Sequence, residues 1–239
     1  MVSSVSLDLG SAMSVTIIPT SLSFGTLRAI SPAAVKYLVV HTEGAPRNRD
    51  GSAASMHAYH QKRGWSGIGY HFVIRQNGRV ERARPLNRQG AHVQGANHMA
   101  LGICCSGNGD LADFTAEQKR SLVGLIHHLR SEFPVTEVVG HRPLVDKLIA
   151  AGTLDRRFRT GKTCPGTRVS MQELQELIGV ELGSDPEPGT RRWSNHFTEW
   201  LILTRFVADD EWYFVRESRL AAAPTRAHAR WSQMPLAPA

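Results

Sequence analysis

Two short stretches decide the fold of this chain: Val138-Val139-Gly140-His141-Arg142 and Thr160-Gly161-Lys162-Thr163-Cys164-Pro165-Gly166. The first is apolar until it reaches a histidine, which predicts a short buried strand ending at His141. The second carries two glycines and a proline, which predict a loop, and this loop presents Lys162 two residues before Cys164. Histidine and cysteine are preferred zinc ligands in proteins, so the two stretches supply two candidate ligands of one metal site.

A second buried strand is predicted upstream, where the sequence reads Lys36-Tyr37-Leu38-Val39-Val40-His41. Its apolar and β-branched residues occupy both faces, which is typical of a strand with neighbours on both sides. The strand ends at His41, just before a loop, and functional side chains are often found where a rigid element meets a loop. His41 is therefore the natural candidate for a third ligand.

Strands and helices alternate over residues 31–182, which predicts an α/β body built on a single mixed β-sheet flanked by helices. The further strands are predicted at 69–75, 79–83, 101–105 and 136–139, with Asn77-Gly78 as a two-residue turn between the first two. The helices are predicted at 52–63, 115–133, 143–151 and 170–178. Those at 115 and 170 open with capping boxes, Thr115 to Gln118 and Ser170 to Glu173.

The ends of the chain differ from this body in composition. Residues 1–30 are rich in serine and threonine and are predicted to be a lead-in segment that adds one short strand. Residues 183–190, rich in glycine and proline, are predicted to be a linker. Residues 191–239 form a C-terminal extension, predicted to be a β-hairpin from 200–207 and 212–216 with a short helix at 221–231. An extension this small is expected to dock on the body or on a partner.

Charge and composition limit the kinds of partner and the cellular location that we expect for this chain. The formal net charge is +7, which favours an anionic partner. Seven of the basic residues lie between His141 and Ser170, not in a basic tail, so we expect no nucleic-acid partner. No apolar run is long enough to span a membrane, and residues 1–10 have no signal-peptide pattern, so we expect synthesis in the cytoplasm. The three cysteines include the adjacent Cys104 and Cys105, predicted to be buried, and do not suggest a disulfide framework.

Five motifs then occur in a fixed order: Val39-Val40-His41-Thr42-Glu43-Gly44, Gly64-Trp65 with Gly69-Tyr70-His71-Phe72-Val73-Ile74, Gly90-Ala91-His92, Gly140-His141-Arg142, and Lys162-Thr163-Cys164-Pro165-Gly166. Together they resemble the zinc-dependent N-acetylmuramoyl-L-alanine amidases of type 2. Phage lytic amidases and animal peptidoglycan recognition proteins share that fold. The resemblance covers residues 31–182, the expected catalytic domain.

The resemblance implies one zinc ion held by His41, His141 and Cys164. Three protein ligands leave a position for water, as in catalytic zinc sites. It also implies catalytic roles for Tyr70, whose hydroxyl would orient the water or the tetrahedral intermediate, and for Lys162, whose charge would stabilise the developing oxyanion. The reaction would be hydrolysis of the amide between N-acetylmuramic acid and L-alanine, with peptidoglycan or a muramyl peptide as partner.

Substrate contacts are predicted for His92, which matches a groove position of the family, and for Thr42, Glu43 and Asn97. For Glu43 a role as general base and a role as an ordinary loop carboxylate both stay open.

His57 and His60 are spaced like a metal pair on a helix, but no third ligand accompanies them, so a solvated helix face is predicted.

One departure from the family concerns the 23 positions that separate His141 from Cys164. In the family these ligands are usually much closer along the chain. The extra residues include the predicted helix and the cluster Arg156, Arg157 and Arg159. We expect this insertion to form a lid or wall beside the groove, where its charge attracts the carboxylates of stem peptides.

Three functions follow from the motifs. The first is a lytic amidase of phage or prophage type, which would act on the cell wall. The second is a cytosolic amidase that recycles muropeptides. The third is a peptidoglycan-binding protein of the same fold without activity, against which the complete His-His-Cys set argues. The sequence neither supports nor opposes a regulatory protein partner.

Overall fold

A mixed sheet of seven strands carries the first of two compact units, residues 1–179. The computed structural model describes residues 5–7, 15–179, 191–194, 199–206 and 211–216. The strands, in chain order, are β1 (Val5–Leu7), β2 (Val15–Ile18), β3 (Tyr37–Thr42), β4 (Phe72–Ile74), β5 (Val80–Arg82), β6 (Ala100–Cys105) and β7 (Glu137–Gly140). Their order in the sheet is β1-β2-β5-β4-β6-β3-β7. The predicted α/β class with a mixed sheet is confirmed.

Within the described residues, four α-helices flank this sheet: α1 (Ala53–Lys62), α2 (Ala116–Glu132), α3 (His141–Ala150) and α4 (Met171–Gly179). The Thr115 hydroxyl accepts from the Gln118 amide and the Gln118 side chain accepts from the Thr115 amide, so the capping box predicted for α2 is confirmed. Short 3-10 helices at Pro32–Ala34, Pro46–Asn48, Asn97–Met99 and Arg156–Phe158 complete the connections.

Strand β3 has neighbours on both sides, as its apolar sequence predicts. It pairs in parallel with β6 and with β7, so the carboxyl ends of all three strands meet at one edge of the sheet. Leu38 and Val40 pack with α2 and α4, whereas Val39 packs with α3 on the other face. Because side chains alternate along a strand, His41 shares the face of Val39. The candidate metal ligand His41 therefore lies on the side of the sheet that α3 covers.

The hairpin of β4 and β5 differs from its predicted turn. Arg75 pairs with Arg79, so three residues, Gln76 to Gly78, form the connection. Gly78 has φ +81°, the left-handed value that glycine adopts without strain. This is the type I turn followed by a glycine that three-residue hairpins commonly use. The predicted two-residue turn is therefore wrong by one residue, although the hairpin and its glycine are present.

The lead-in segment contributes β2, which pairs in parallel with β5, and β1, which pairs with β2.

The second unit, residues 180–239, contains an antiparallel sheet of β8 (Arg191–Ser194), β9 (Glu199–Phe206) and β10 (Glu211–Arg216) in the order β10-β9-β8. Its β9–β10 pair is the predicted hairpin, and β8 was not predicted. The predicted linker at 183–190 and helix at 221–231 lie outside the described residues. No helix among the described residues has the length and apolarity needed to cross a bilayer.

Candidate metal centre

Two parallel strands bring the two histidines together. Val40 of β3 pairs with Gly140 of β7, and the residue that follows each of them in sequence is a histidine. The rings of His41 and His141 are 4.9 Å apart between centroids. His41 is buried, while His141 begins α3 and is partly exposed. The parallel register therefore places residues that are distant in sequence at one site.

Cys164 reaches the site through a loop that packs against the end of β7. The Arg142 amide donates to the Cys164 carbonyl at 3.0 Å, which ties the loop to the first turn of α3. A Cβ at Gly140 would lie 2.6 Å from Pro165 Cδ, so a residue without a side chain is needed for this approach. Asp110 holds the loop from the other side by accepting from the Thr163 hydroxyl and the Thr167 amide.

The ligand atoms of His41, His141 and Cys164 all lie within 4.8 Å of one another. His41 Nδ1 is 3.5 Å from the Cys164 sulfur. A nitrogen and a sulfur bound to one tetrahedral zinc, at about 2.0 and 2.3 Å, are about 3.5 Å apart. Two imidazoles and one thiol at this spacing fit zinc in donor chemistry and in distance, and three ligands match its catalytic sites.

Burial sets the charge of these groups. It lowers the pKa of His41 well below its usual value, and His92, His141 and Lys162 act in the same direction. Burial, with a smaller effect of Lys162, lowers the pKa of His141 to about 4. Both imidazoles are therefore neutral near pH 7 and present the lone pairs that a cation needs. Burial raises the pKa of the Cys164 thiol to about 11, although a backbone hydrogen bond from Thr42 and the Lys162 charge oppose that rise.

The two predicted catalytic side chains lie beside this group. The Tyr70 ring is 5.1 Å from the His41 ring, and its hydroxyl lies beside the Cys104 thiol. Burial raises the pKa of Tyr70 well above 10, so the hydroxyl keeps its proton and is a hydrogen-bond donor. Lys162 is exposed, and its charge acts on His41, His141 and Cys164. The Tyr70–Cys104 contact was not predicted, because it depends on the β3–β6 register that pairs His41 with Cys104.

His92 lies against His41 and is 8% exposed. Its Nδ1 is 3.1 Å from His41 Nε2. Asn97 supports the His92 loop, because its Oδ1 accepts from the amides of His92 and Val93 at 2.9 and 3.0 Å. Both residues are thus at the site, and their predicted contacts with substrate stay predictions.

Thr42 and Glu43 follow His41 and have partners within the protein. The Thr42 hydroxyl donates to the Gly107 carbonyl and accepts from the Gly109 amide, both at 3.0 Å. Glu43 accepts from Arg49 at 2.6 Å. Burial raises the pKa of Glu43 although Arg49 opposes the rise. The substrate contacts predicted for both residues stay predictions.

The segment between His141 and Cys164 is part of the core. Helix α3 buries Leu144, Val145 and Leu148, and the residues after it bury Leu154. Leu154 and Phe158 approach Gly95 in the His92 loop, where a Cβ would lie 2.4 Å from Leu154 Cδ1. The segment is therefore anchored beside the candidate site, and Arg156, Arg157 and Arg159 lie on its exposed side.

The prediction of a solvated face for His57 and His60 is wrong. Both are buried on the inner side of α1. Their Nδ1 atoms accept from the backbone amides of Ile68 and Gly69, at 3.3 and 3.1 Å. The helix alone carries a weak hydrophobic pattern, so its sequence gave no sign that these two histidines face inward. They hold the segment that leads to Tyr70, and in the part of the chain that the structure describes they belong to no group of potential metal ligands.

An α/β fold with this His-His-Cys group defines a class, the type 2 amidases and peptidoglycan recognition proteins. Comparison with family models agrees: the chain belongs to the family Amidase_2, described as N-acetylmuramoyl-L-alanine amidase, whose model matches residues 31–167.

Among relatives and solved structures, the chain is similar to phage endolysins and amidases. It is 32% identical over 134 residues to an endolysin of Enterobacteria phage K11, an alignment that covers 54% of this chain and 89% of the relative. It is similar to the N-acetylmuramoyl-L-alanine amidase LysC from Clostridium intestinale, with TM-score 0.57, 27% identity and coverage of 69% and 98%. Bumblebee PGRP-SA shares the fold, with TM-score 0.54 and 23% identity over 66% of this chain and 93% of that one.

Proposed function

We propose that this chain is a zinc-dependent N-acetylmuramoyl-L-alanine amidase that cleaves peptidoglycan as a lytic enzyme of phage type. The observation that carries the proposal is the convergence of His41, His141 and Cys164, whose ligand atoms lie within 4.8 Å of one another. Membership of the amidase family and similarity to phage endolysins support the substrate and the lytic role. The bond cleaved is the amide between the lactyl group of N-acetylmuramic acid and L-alanine.

His41, His141 and Cys164 would hold the zinc ion. When bound, zinc supplies a Lewis acid that polarises the amide carbonyl and makes water nucleophilic at neutral pH. The chain fixes the position of these ligands through the β3–β7 register and the hydrogen bond from Arg142 to Cys164. Preorganised ligands keep the reacting groups aligned without a conformational cost during the reaction.

Tyr70 and Lys162 would act on the substrate. The Tyr70 hydroxyl keeps its proton, and the Tyr70 ring lies 5.1 Å from the His41 ring, so we expect this hydroxyl to donate to the oxygen that becomes negative in the tetrahedral intermediate. Lys162 supplies a positive charge on the open side of the site. Removing one donor to an oxyanion typically costs about 10²–10³ in rate. We expect losses of that size in Tyr70→Phe and Lys162→Gln with metal content unchanged.

The experiment combines metal analysis with cell-wall digestion. We expect the full chain to contain about one zinc per molecule, to clear a suspension of cell walls, and to release new L-alanine amino termini. Chelator should abolish clearing and added zinc should restore it. Cys164→Ser should lose both zinc and activity, whereas Cys105→Ala, which changes a buried cysteine of the core, should keep both.

Three results would separate the alternatives. Clearing that survives zinc removal would contradict the metal mechanism. Binding to walls with zinc present and no new L-alanine termini would identify a binding protein. Cleavage of soluble muropeptides with no effect on intact walls would favour the cytosolic recycling amidase.

A further inference from the structure

His41 has a second interaction that the amidase reaction does not use. Its Nδ1 faces the Cys164 sulfur at 3.5 Å, and its Nε2 faces His92 Nδ1 at 3.1 Å. His92 is not part of the candidate ligand group. The His41 ring therefore lies between the site and a second, buried imidazole.

The protons of this pair follow from the geometry. A ring nitrogen that binds a cation offers its lone pair, so neutral His41 carries its proton on the other nitrogen, Nε2. That N–H points at His92 Nδ1, which must then accept, and the proton of neutral His92 lies on its own Nε2.

The fold holds His92 in place from three sides. A Cβ at Gly90 would lie 2.2 Å from His92 Cδ2, and one at Gly102 would lie 2.7 Å from the same atom. These two glycines let the backbone close on the ring. Asn97 fixes the loop through the His92 amide. The ring of His71 meets it edge-on at 5.7 Å, and His71 is itself fixed by the Gly102 amide and the Arg88 carbonyl.

We propose that His92 is a positioning residue that accepts the Nε2 proton of His41 and thereby fixes the orientation and tautomer of this ligand. The proposal rests on the zinc site proposed above and adds to it a specific hydrogen bond. Partners of this kind typically raise metal affinity by about 10- to 100-fold, because they orient the ligand and increase its basicity.

A matched pair of variants tests the acceptor. In His92→Asn the amide oxygen can occupy nearly the place of Nδ1, whereas His92→Leu has a similar shape and no acceptor. We expect zinc affinity, measured by competition with a chelator, to fall about 10- to 100-fold in His92→Leu and to be largely restored in His92→Asn. Equal affinity in all three proteins would overturn the proposal, as would equal losses in both variants at unchanged melting temperature.

A second measurement needs no substitution and covers the case in which His92→Leu does not fold. Nitrogen-15 NMR of the zinc-loaded full chain distinguishes the two neutral tautomers of each histidine. We expect both His41 and His92 to carry the proton on Nε2, and a proton on His92 Nδ1, which could then not accept from His41, would overturn the proposal. Failure of the wild-type chain to bind zinc would instead contradict the proposed function, so the two failures are distinguishable.

Discussion

At the scale of single residues, Gly140 controls how closely the Cys164 loop approaches β7. A methyl group there would lie 2.6 Å from Pro165 Cδ and 3.3 Å from Pro143 Cδ, closer than packed carbons allow. We expect Gly140→Ala to displace Cys164 and to lower zinc affinity about tenfold or more, since loss of the groups that orient a metal ligand typically costs about 10- to 100-fold. Isothermal titration with zinc measures the change.

Gly161 provides the matched control for this substitution. It lies three residues before Cys164, and a Cβ there would meet nothing within 4 Å. We expect Gly161→Ala to bind zinc like the wild type. Equal zinc binding by both alanine variants would show that the close approach of Gly140 and Pro165 is not needed to position Cys164.

His71 gives the fold a specific dependence on pH. Burial, with a smaller effect of Arg84, lowers the pKa of His71 to about 4, against the upward effect of its hydrogen bond to Arg88. Between pH 6.5 and 4 the unfolded chain then binds a proton at this residue that the folded chain does not. The free energy of unfolding therefore falls as the pH falls through this range, and a change from 6.5 to about 4 corresponds to about 3 kcal/mol.

Urea unfolding of the wild type and His71→Gln at pH 7, 6, 5 and 4, with chelator present, measures this contribution. Other buried histidines titrate in both proteins, so the difference between the two curves isolates His71. We expect the variant to be less stable at pH 7 and to lose less stability on acidification. Parallel curves would show that His71 does not carry the predicted proton linkage.

The sequence predicted the residues of the candidate site better than their orientation. His41, His141 and Cys164 were identified from motifs and from strand ends, and they converge in the structure. The burial of His92 against His41 was not predicted, because it depends on Gly90 and Gly102, which let the backbone close on the ring. A linear sequence shows a histidine and two glycines but not which of them meet.

At the scale of elements, most strands and helices followed from their local pattern. The apolar sequence of β3 predicted two neighbours, because a strand covered on both faces has no polar side. The turn after β4 was off by one residue, because Asn-Gly occurs in two-residue turns and also at the end of three-residue ones. Local patterns thus predicted the strands and helices, whereas the length of the turn after β4 depended on how the strands pair.

The segment between α3 and Cys164 combines a packed side and a charged side. Leu154 and Phe158 anchor it beside the His92 loop, which leaves Arg156, Arg157 and Arg159 exposed. We propose that these arginines attract the carboxylates of stem peptides. Changing all three to glutamine should slow wall clearing about tenfold at low salt and flatten its salt dependence, because electrostatic steering is screened by ions.

A control for net charge uses Lys36, Arg120 and Arg130, which are exposed elsewhere on the first unit. The same three-residue change to glutamine at these positions should leave wall clearing and its salt dependence close to wild type. Equal effects of the two triple variants would mean that total charge matters and the position of the arginines does not.

At the scale of the whole molecule, the first unit holds the sheet, the four helices and the candidate metal centre, and the family model matches within it at 31–167. We propose that residues 31–182 form the catalytic domain and that the lead-in segment is needed for its stability. Val15 and Ile17 of β2 are each 4% exposed and pack in the main core. Burying two such side chains contributes about 3–6 kcal/mol.

Two truncated chains test this division. Residues 1–179 should keep the zinc content of the full chain and its rate on soluble muropeptides, because every residue of the candidate centre is retained. Residues 20–179 lack β2 and should melt at a clearly lower temperature, as loss of its buried side chains removes several kcal/mol. Equal melting temperatures would show that β2 adds nothing to the core. An unfolded 1–179 chain would mean that the second unit is required for folding, whereas a defect confined to intact walls would assign residues 180–239 a role in wall binding.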